Sequence, residues 1–182
     1  MKKLLLFLIF TSLTYADTRD PFLEGIKGLV KLDFSNGSMY EGQVEECLIA
    51  GKQVTCFKGM GVYTFKTGYR YKGEFKDNKP NGQGVFASPD GMHYQGGFKD
   101  GKLHGKGVMN YPDGRLYEGE YKDNKRDGYG IMTYQDGSLY QEGSRYEGEW
   151  KNDKRDGQGF MTYLDDGRCL EGEFKENVFI GS

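Results

Sequence analysis

The sequence predicts an all-β fold, an elongated single-layer antiparallel meander of stacked β-hairpins. Three observations predict it. A unit of 23 residues recurs along the chain, each unit holds two short segments with the period-2 alternation of strands, and polar turn sequences separate those segments. Glycine contributes 29 of the 182 residues and aromatic residues contribute 15%, and so many aromatic side chains argue against a disordered glycine-rich chain.

The repeats occupy nearly the whole chain after its first residues. We predict a leader over 1–16, an N-terminal cap or linker over 17–27 and a repeat array over 28–182. A half repeat over 28–39 and another over 170–182 flank the full copies. Five full copies begin at Tyr40, which carries an insertion, and at Tyr71, Tyr94, Tyr117 and Tyr146.

Each copy is predicted to form one hairpin. In the first strand, period-2 spacing places Tyr71, Gly73 and Phe75 on one face. The second strand opens with Gly82 and Gly84 and continues with alternating apolar positions. Polar loops such as Lys-Asp-Asn-Lys connect the strands, and Pro-Asp-Gly or Gln-Asp-Gly connects one hairpin to the next.

The strand glycines have a predicted packing role. Because glycine lacks a side chain, an aromatic ring from a neighbouring strand can cover the backbone there, which offsets the weakness of glycine in a sheet. The positions concerned are Gly73, Gly96, Gly119 and Gly148.

The first residues are typical of a secretory signal peptide. Lys2 and Lys3 precede an apolar run from Leu4 to Leu13, and small residues lead to a cleavage site after Ala16. The run is about half the roughly 20 residues of a spanning helix. We therefore expect a secreted or periplasmic protein of a bacterial envelope, with an uncleaved anchor or a buried first helix as alternatives.

Export changes the interpretation of the cysteines. Cys47 and Cys56 bracket a loop in the insertion, and an oxidising compartment favours a disulfide between them. Two free thiols are the alternative. Cys169 has no obvious partner, so it is predicted to be a free thiol or a site for an intermolecular bridge.

Charge and motifs exclude several functions. A formal net charge of -2 at pH 7 argues against a nucleic-acid binder that neutralises phosphates. The two histidines, His93 and His104, have no nucleophile at a telling position. No glycine-rich phosphate loop opens a helix. We expect no catalytic site, no cofactor and no metal site.

Basic residues recur in the hairpin loops. If the hairpins stack in register, they form a stripe along one edge that suits acidic headgroups or an acidic partner. The favoured alternative is a solvated edge, because aspartates alternate with these bases. The bases are Lys76, Lys79, Lys99, Lys102, Lys122, Lys125, Arg126, Lys151, Lys154 and Arg155.

The motif Tyr-Glu-Gly-Glu-Trp-Lys followed by Gly-x-Gly-x-Met-Thr-Tyr-x-Asp-Gly resembles the MORN repeat. The resemblance implies an elongated sheet of hairpins with an aromatic-lined groove. It also implies a non-catalytic module for protein association, and lipid or membrane binding has been proposed for such arrays. Val44 replaces the second aromatic residue of the first copy and Val30 replaces a glycine in the leading half copy, which are departures at the N-terminal end of the array.

The sequence thus predicts an exported scaffold for protein–protein interaction or assembly. Binding of a lipid surface or an envelope glycan is the alternative, and an enzyme ranks third. The aromatic face is the predicted contact surface, although the same rings also suit the core of a thin sheet. The predicted contact residues are Tyr71, Phe75, Tyr94, Phe98, Tyr117, Tyr121, Tyr146 and Trp150.

Overall fold

A computed structural model describes residues 10–15, 21–134, 144–163 and 167–182. The chain divides into two compact units, Met1–Pro89 and Asp90–Ser182, called the N-terminal and C-terminal units below. Both are antiparallel β-meanders, as the sequence predicts. Within the described ranges, the only helical element is a 3-10 turn at Pro21–Leu23.

The N-terminal unit contains six strands, each hydrogen-bonded to the next one along the chain. The strands are β1 (Phe10–Tyr15), β2 (Leu29–Phe34), β3 (Met39–Ile49), β4 (Lys52–Thr64), β5 (Arg70–Lys76) and β6 (Lys79–Ala87). The insertion of the first repeat lengthens β3 and β4 into one long hairpin. Beside them, Leu23 packs against Leu29 and Val62.

The C-terminal unit contains eight strands in the same sequential order. They are β7 (His93–Lys99), β8 (Lys102–Asn110), β9 (Leu116–Lys122), β10 (Lys125–Thr133), β11 (Arg145–Lys151), β12 (Lys154–Thr162), β13 (Cys169–Lys175) and β14 (Val178–Gly181). In β14, Phe179 packs against Phe174 with centroids 5.2 Å apart, while Val178 and Ile180 are exposed.

Two-residue turns close the hairpins within the repeats. Asp123 and Asn124 have φ of 50° and 72°, and Asn152 and Asp153 have 48° and 69°. Such paired left-handed residues form the turn that matches the twist of antiparallel strands, and Asn and Asp tolerate it better than most side chains. The polar loop sequence therefore encodes a tight hairpin.

A bulge inside each hairpin explains the repeated glutamate of the motif. The pairing of β5 with β6 shifts register between Gly73 and Phe75. The side chain of Glu74 reaches the bulge, where its Oε1 accepts a hydrogen bond of 2.8 Å from the backbone N–H of Gln83. Glu149 accepts an equivalent bond of 3.0 Å from Gln158. This glutamate satisfies a backbone donor that the bulge leaves unpaired.

Candidate functional site

The inner face is defined here as the sheet face that carries the tyrosine of each Tyr-x-Gly-x-aromatic strand, and the outer face as the opposite one. All eight rings predicted as contact residues lie on the inner face and are at most 7% exposed: Tyr71, Phe75, Tyr94, Phe98, Tyr117, Tyr121, Tyr146 and Trp150. They form the core of the units. A partner that binds the protein in this conformation could contact little of their surface, and their role in binding stays a prediction.

The inner rings pack edge to face in a regular series. Trp150 contacts Tyr146 at 5.2 Å and Tyr117 at 5.4 Å, with interplanar angles of 89° and 87°. Tyr121 contacts Tyr117 and Tyr94, both at 5.2 Å. Tyr121 and Trp150, the second aromatic residues of their repeats, therefore each join the tyrosine of their own repeat to that of the preceding repeat. Such perpendicular pairs stabilise by about 0.5–1.5 kcal/mol each beyond their burial.

Each repeat tyrosine also covers two paired glycines, one on its own strand and one on the next strand. The sequence predicts a ring from a neighbouring strand over Gly148, but the ring that covers this glycine belongs to Tyr146 on the same strand. Tyr146 lies over Gly148 and Gly159, and a Cβ atom on Gly159 would come within 2.6 Å of the ring. The Tyr146 hydroxyl donates a hydrogen bond of 3.0 Å to the carbonyl of Glu149. Burial, which disfavours the charged phenolate, raises the pKa of Tyr146 to about 12. The ring is held at both its face and its hydroxyl.

Two arginines cover this aromatic layer. The Arg126 guanidinium lies 4.3 Å from the ring of Trp150 and 5.6 Å from that of Tyr117. Arg155 lies 5.6 Å from Tyr146 and 5.5 Å from Phe174. These positions allow cation–π attraction. The two arginines therefore lie on the aromatic layer instead of extending a basic stripe along the edge.

Some lysines near the hairpin turns are paired with acids of a neighbouring hairpin, as expected for a solvated edge. Lys102 lies 3.3 Å from Asp123, and Lys175 lies 3.1 Å from Asp156. The Lys175 ammonium holds the pKa of the Asp156 carboxyl below its usual range. These pairs join neighbouring hairpins.

Turn residues also connect neighbouring hairpins through the backbone. Asn124 N–H donates 3.1 Å to the carbonyl of Leu103, and its side-chain oxygen accepts 2.8 Å from Leu103 N–H. Asp153 makes the same two bonds with Arg126, at 3.0 Å each. The turn thereby positions the arginine that covers Trp150.

The long β3–β4 hairpin carries the Cys47–Cys56 disulfide that the sequence predicts. Ala50 and Gly51 form the tip of this hairpin. Lys52 and Gln53, which follow on β4, are exposed, whereas Cys56 is only 2% exposed. The Nδ2 of Asn78, from the β5–β6 turn, lies 3.1 Å from Cys56 Sγ, and Asn78 Oδ1 accepts 2.7 Å from Phe57 N–H. The base of the hairpin extension, residues 45–56, is therefore held at two points.

A mostly apolar cavity of about 520 Å³ lies beside this extension. Three aromatic rings meet there: Phe34 lies 6.1 Å from Phe57 and 5.8 Å from Tyr63. Phe57 in turn stacks on Tyr40 with centroids 3.8 Å apart. Tyr40 begins the first copy, in which Val44 replaces the second aromatic residue of the repeat. The full lining is Phe34, Ile49, Ala50, Lys52, Val54, Thr55, Phe57, Tyr63 and Asn78.

The outer face of the C-terminal unit carries a second concave region, a shallow groove of about 530 Å³. Tyr129 is 52% exposed and Phe160 is 37% exposed. Paired glycines form part of the floor, since Gly148 pairs with Gly159 and Gly159 with Gly172. This outer groove is lined by Tyr129, Glu147, Gly148, Gln158, Gly159, Phe160, Glu171 and Gly172.

The outer groove is lined by two carboxylates, those of Glu147 and Glu171, and the Arg145 guanidinium lies 2.6 Å from Glu147. In register across β10 to β13, Ile131 faces Glu147, Glu147 faces Phe160, and Phe160 faces Glu171. The Tyr129 hydroxyl donates 2.9 Å to Glu147, and this bond together with Arg145 lowers the pKa of the Glu147 carboxyl. Glu147 therefore remains a carboxylate.

The repeat assignment follows from a match to a known family. Residues 57–68, 71–93, 94–114, 117–139 and 146–168 match the MORN repeat, which together make up more than half of the chain. The chain belongs to the MORN repeat family. MORN repeats form non-catalytic scaffolds typical of protein or lipid interaction. The matched copies that begin at Tyr71, Tyr94, Tyr117 and Tyr146 share the tyrosine-over-glycine packing described above.

Other comparisons add only distant likenesses to this MORN chain. No curated protein matches it. Among solved structures, the Drosophila melanogaster SAS-4 TCP domain in complex with a proline-rich motif of Ana2 is similar at a TM-score of 0.38 and 13% identity, covering 81% of this chain and 85% of that one. The Sas-4 TCP10c domain of the same organism has a TM-score of 0.36 and 15% identity, covering 81% and 93%.

Sequence reasoning did not identify the two concave regions of the MORN array. The apolar residues Leu48, Ile49 and Val54 within the inserted loop were the available signal for the cavity. Tyr129 and Phe160, at strand positions that alternate with the inner face, were the signal for the groove. In the described ranges, no cluster of His, Cys, Asp and Glu side chains has the geometry of a metal site. Nor do those ranges contain a helix of the length and hydrophobicity that a membrane crossing requires.

Proposed function

We propose that this chain is an exported, non-catalytic scaffold that binds a protein partner through the outer groove of its C-terminal unit. The exposed pair Tyr129 and Phe160 carries the proposal. The inner rings are used as core, whereas these two aromatic side chains face solvent on either side of Glu147. Aromatic residues are enriched at protein interfaces because they bury a large area with few rotatable bonds.

Charge indicates the kind of partner. Glu118, Glu147 and Glu171 stand on β9, β11 and β13, one on every second strand. Arg145 pairs with Glu147, so the charge argument rests on Glu118 and Glu171, whose carboxylates favour a basic protein segment through electrostatic complementarity. The same carboxylates would repel an anionic lipid surface, so lipid binding ranks below protein binding as the alternative function. Stacking of an envelope glycan on the exposed rings belongs to the same alternative.

Export is supported by the leader pattern of the first 16 residues. The described residues Phe10–Tyr15 pair with β2, so cleavage after Ala16 would remove β1 and leave β2 at an open edge. Mass determination of the protein recovered from the envelope of a bacterial host tests this step. A mature chain beginning at Asp17 is expected, and an intact leader would contradict export by cleavage.

Photocrosslinking tests the binding surface. A photoreactive residue replaces Tyr129 or Phe160 in separate variants, and Phe65 or Tyr69 in matched controls with comparable exposure of 41% and 38%. We expect one basic protein to be crosslinked from positions 129 and 160 but not from 65 or 69. The crosslink should weaken with added salt and in Glu118→Lys/Glu171→Lys.

Other outcomes separate the alternatives. Crosslinks to lipid or glycan alone from positions 129 and 160 would replace the protein scaffold with the alternative function. Equal crosslinking from all four positions, or a partner crosslinked equally in the double charge reversal, would contradict the outer groove as the binding surface.

A further inference from the structure

We propose that the outer groove recognises an arginine side chain of the partner, with its guanidinium stacked on the ring of Phe160 and paired with the Glu171 carboxylate. This recognition deepens the proposed function and rests on it, because the outer groove must be the surface that contacts the partner. The basic segment is thereby narrowed to one residue type, which the groove would distinguish from lysine.

A row of outer-face residues alternates between apolar side chains and carboxylates. Phe160 pairs with Glu147 on one side and with Glu171 on the other. Ile131 likewise stands between Glu118 and Glu147. Residues directly opposite each other in an antiparallel pair have Cβ atoms about 4.5–5.5 Å apart, so the Phe160 ring has a carboxylate on each side. A cation placed on this ring therefore meets a negative charge at the edge of the ring.

The Phe160 ring and the Glu171 carboxylate are both accessible. Phe160 is 37% exposed, and Glu171 beside it is exposed as well. Glu147, on the other side of the ring, already accepts a bond from the Tyr129 hydroxyl and pairs with Arg145. In the described part of the chain, no cation lies on the Phe160 ring and no ion pair or hydrogen bond engages the Glu171 carboxylate. Glu171 is therefore the carboxylate that an incoming guanidinium would meet.

The inner face already holds an arginine in the arrangement proposed for the outer groove. The Arg126 guanidinium lies 4.3 Å from the ring of Trp150, while its Nε lies 3.2 Å from Oδ1 of Asp153. One guanidinium thus makes a stacking contact through its face and a charge-assisted contact through its edge. Phe160 and Glu171 offer the same two contacts to an arginine that arrives from a partner.

The two contacts together favour arginine over lysine. A guanidinium is planar and weakly hydrated, so it can lie on a ring and present its N–H donors to a carboxylate at the same time. The ammonium of lysine is a compact, strongly hydrated charge that can pair with Glu171 but gains less from the ring. Phe160 would therefore supply the preference for arginine, and Glu171 would supply attraction for either cation.

Fluorescence anisotropy of labelled peptides with the purified chain tests the role of Phe160. The probes are four Gly-Arg repeats, four Gly-Lys repeats and four Gly-citrulline repeats, in which citrulline keeps the shape of arginine without its charge. We expect the arginine peptide to bind about fivefold more tightly than the lysine peptide, the effect of one cation–π contact, and the citrulline peptide to bind least. Phe160→Leu should abolish the preference for arginine, whereas Phe65→Leu, at a residue that is 41% exposed in the N-terminal unit, should preserve it.

A matched pair of variants tests the carboxylate. Glu171→Gln should weaken the arginine and lysine peptides about threefold each, as expected for one exposed ion pair. Glu24→Gln makes the same change in net charge at an exposed residue of the N-terminal unit and should leave both affinities unaltered. Equal effects of the two variants would show that net charge, and not Glu171, attracts the peptides.

NMR of the arginine peptide gives an independent measurement of stacking. Its δ-methylene proton signals should shift upfield with the parent chain, because protons above an aromatic ring are shielded, but not with Phe160→Leu. Equal affinity of the arginine and lysine peptides for the parent, or an upfield shift that persists in Phe160→Leu, would overturn arginine recognition. Crosslinking of a basic protein from positions 129 and 160 would still support the outer groove in that case, so the two proposals fail separately.

Discussion

The Cα of Gly130 lies directly beneath the ring of Tyr117, so that a Cβ atom at this glycine would come 2.5 Å from Cζ. Cβ atoms in folded proteins essentially never make contacts that short. The tyrosine hydroxyl passes over the backbone and donates 3.1 Å to the carbonyl of Glu120. Gly130, which has no side chain, and the Tyr117 ring of the paired strand therefore form one packing unit.

Gly130→Ala is expected to destabilise the C-terminal unit by about 2–3 kcal/mol, because the added methyl displaces a fully buried ring. Gly105→Ala provides a control, since Gly105 has φ of 75° but a methyl group there would meet open space, and backbone strain alone costs about 1 kcal/mol. Urea unfolding measures both. If the two changes cost the same, steric contact with Tyr117 would not be the reason for glycine here.

Tyr117→Phe keeps the ring and removes the hydroxyl. We expect a loss of about 1 kcal/mol in the free energy of unfolding, the usual net value of one hydrogen bond. Combining Tyr117→Leu with Gly130→Ala should cost less than the sum of the two single changes, since the shorter side chain leaves room for the methyl. Additive costs would contradict the packing unit.

Arg126→Lys is expected to destabilise by about 1 kcal/mol, because lysine loses the planar contact with Trp150 and the paired bonds to Asp153. Trp150 is the only tryptophan of the chain, so its fluorescence reports this contact directly. Its emission should change in Arg126→Lys at neutral pH in the folded protein.

Arg155→Lys is the matched control for this change. Arg155 covers Tyr146 and Phe174 in the same way, so a similar loss of stability is expected with little change in tryptophan emission. An unchanged emission spectrum in Arg126→Lys would show that the guanidinium does not lie on the indole in solution.

Removal of the disulfide by Cys47→Ala/Cys56→Ala should lower the free energy of unfolding of the N-terminal unit by about 2.5–3 kcal/mol, since the bridge closes a short loop in the unfolded chain. Cys169→Ala is the control, because Cys169 forms no disulfide and is exposed, so this change should leave the free energy of unfolding unaltered. A stability of the double variant equal to that of the parent would indicate that the bridge does not form.

Alkaline pH is expected to unfold the protein cooperatively. Burial raises the pKa of Tyr94 and Tyr146 from 10.0 to about 12, so the folded state favours the neutral phenol. That contribution to stability is fully present below pH 10 and is lost as pH rises from about 10 through about 12. Phenolate absorbance and circular dichroism should therefore change together in this window.

The Tyr146→Phe variant tests whether tyrosine ionisation causes the alkaline unfolding, because phenylalanine cannot ionise. Its stability should fall less steeply between pH 10 and 12 than that of the parent, although it is lower at neutral pH because the bond to the Glu149 carbonyl is lost. A parallel fall in both proteins would assign the alkaline transition to other groups.

The repeat, the strand pairs and the inner face could all be predicted from the amino-acid pattern. Tyr71, Gly73 and Phe75 alternate with polar residues, and this period allows only one face to be apolar. The turn residues and the Cys47–Cys56 pair were likewise predictable, because tight turns and short disulfide loops depend on residues near each other in the chain.

Which aromatic residues remain available for contact depends on how the hairpins pack, and this could not be predicted from the amino-acid pattern. The inner rings bury one another and are covered by Arg126 and Arg155, whose loop positions alone suggested an exposed basic edge. Tyr129 and Phe160 are exposed because, among the residues that the structure describes, none forms a layer over them on the outer face. The cavity requires Phe34, Val54 and Asn78, which are far apart in the chain and meet only when the long hairpin packs beside its neighbours. Local pattern specifies hairpins, whereas burial and cavities depend on distances between hairpins.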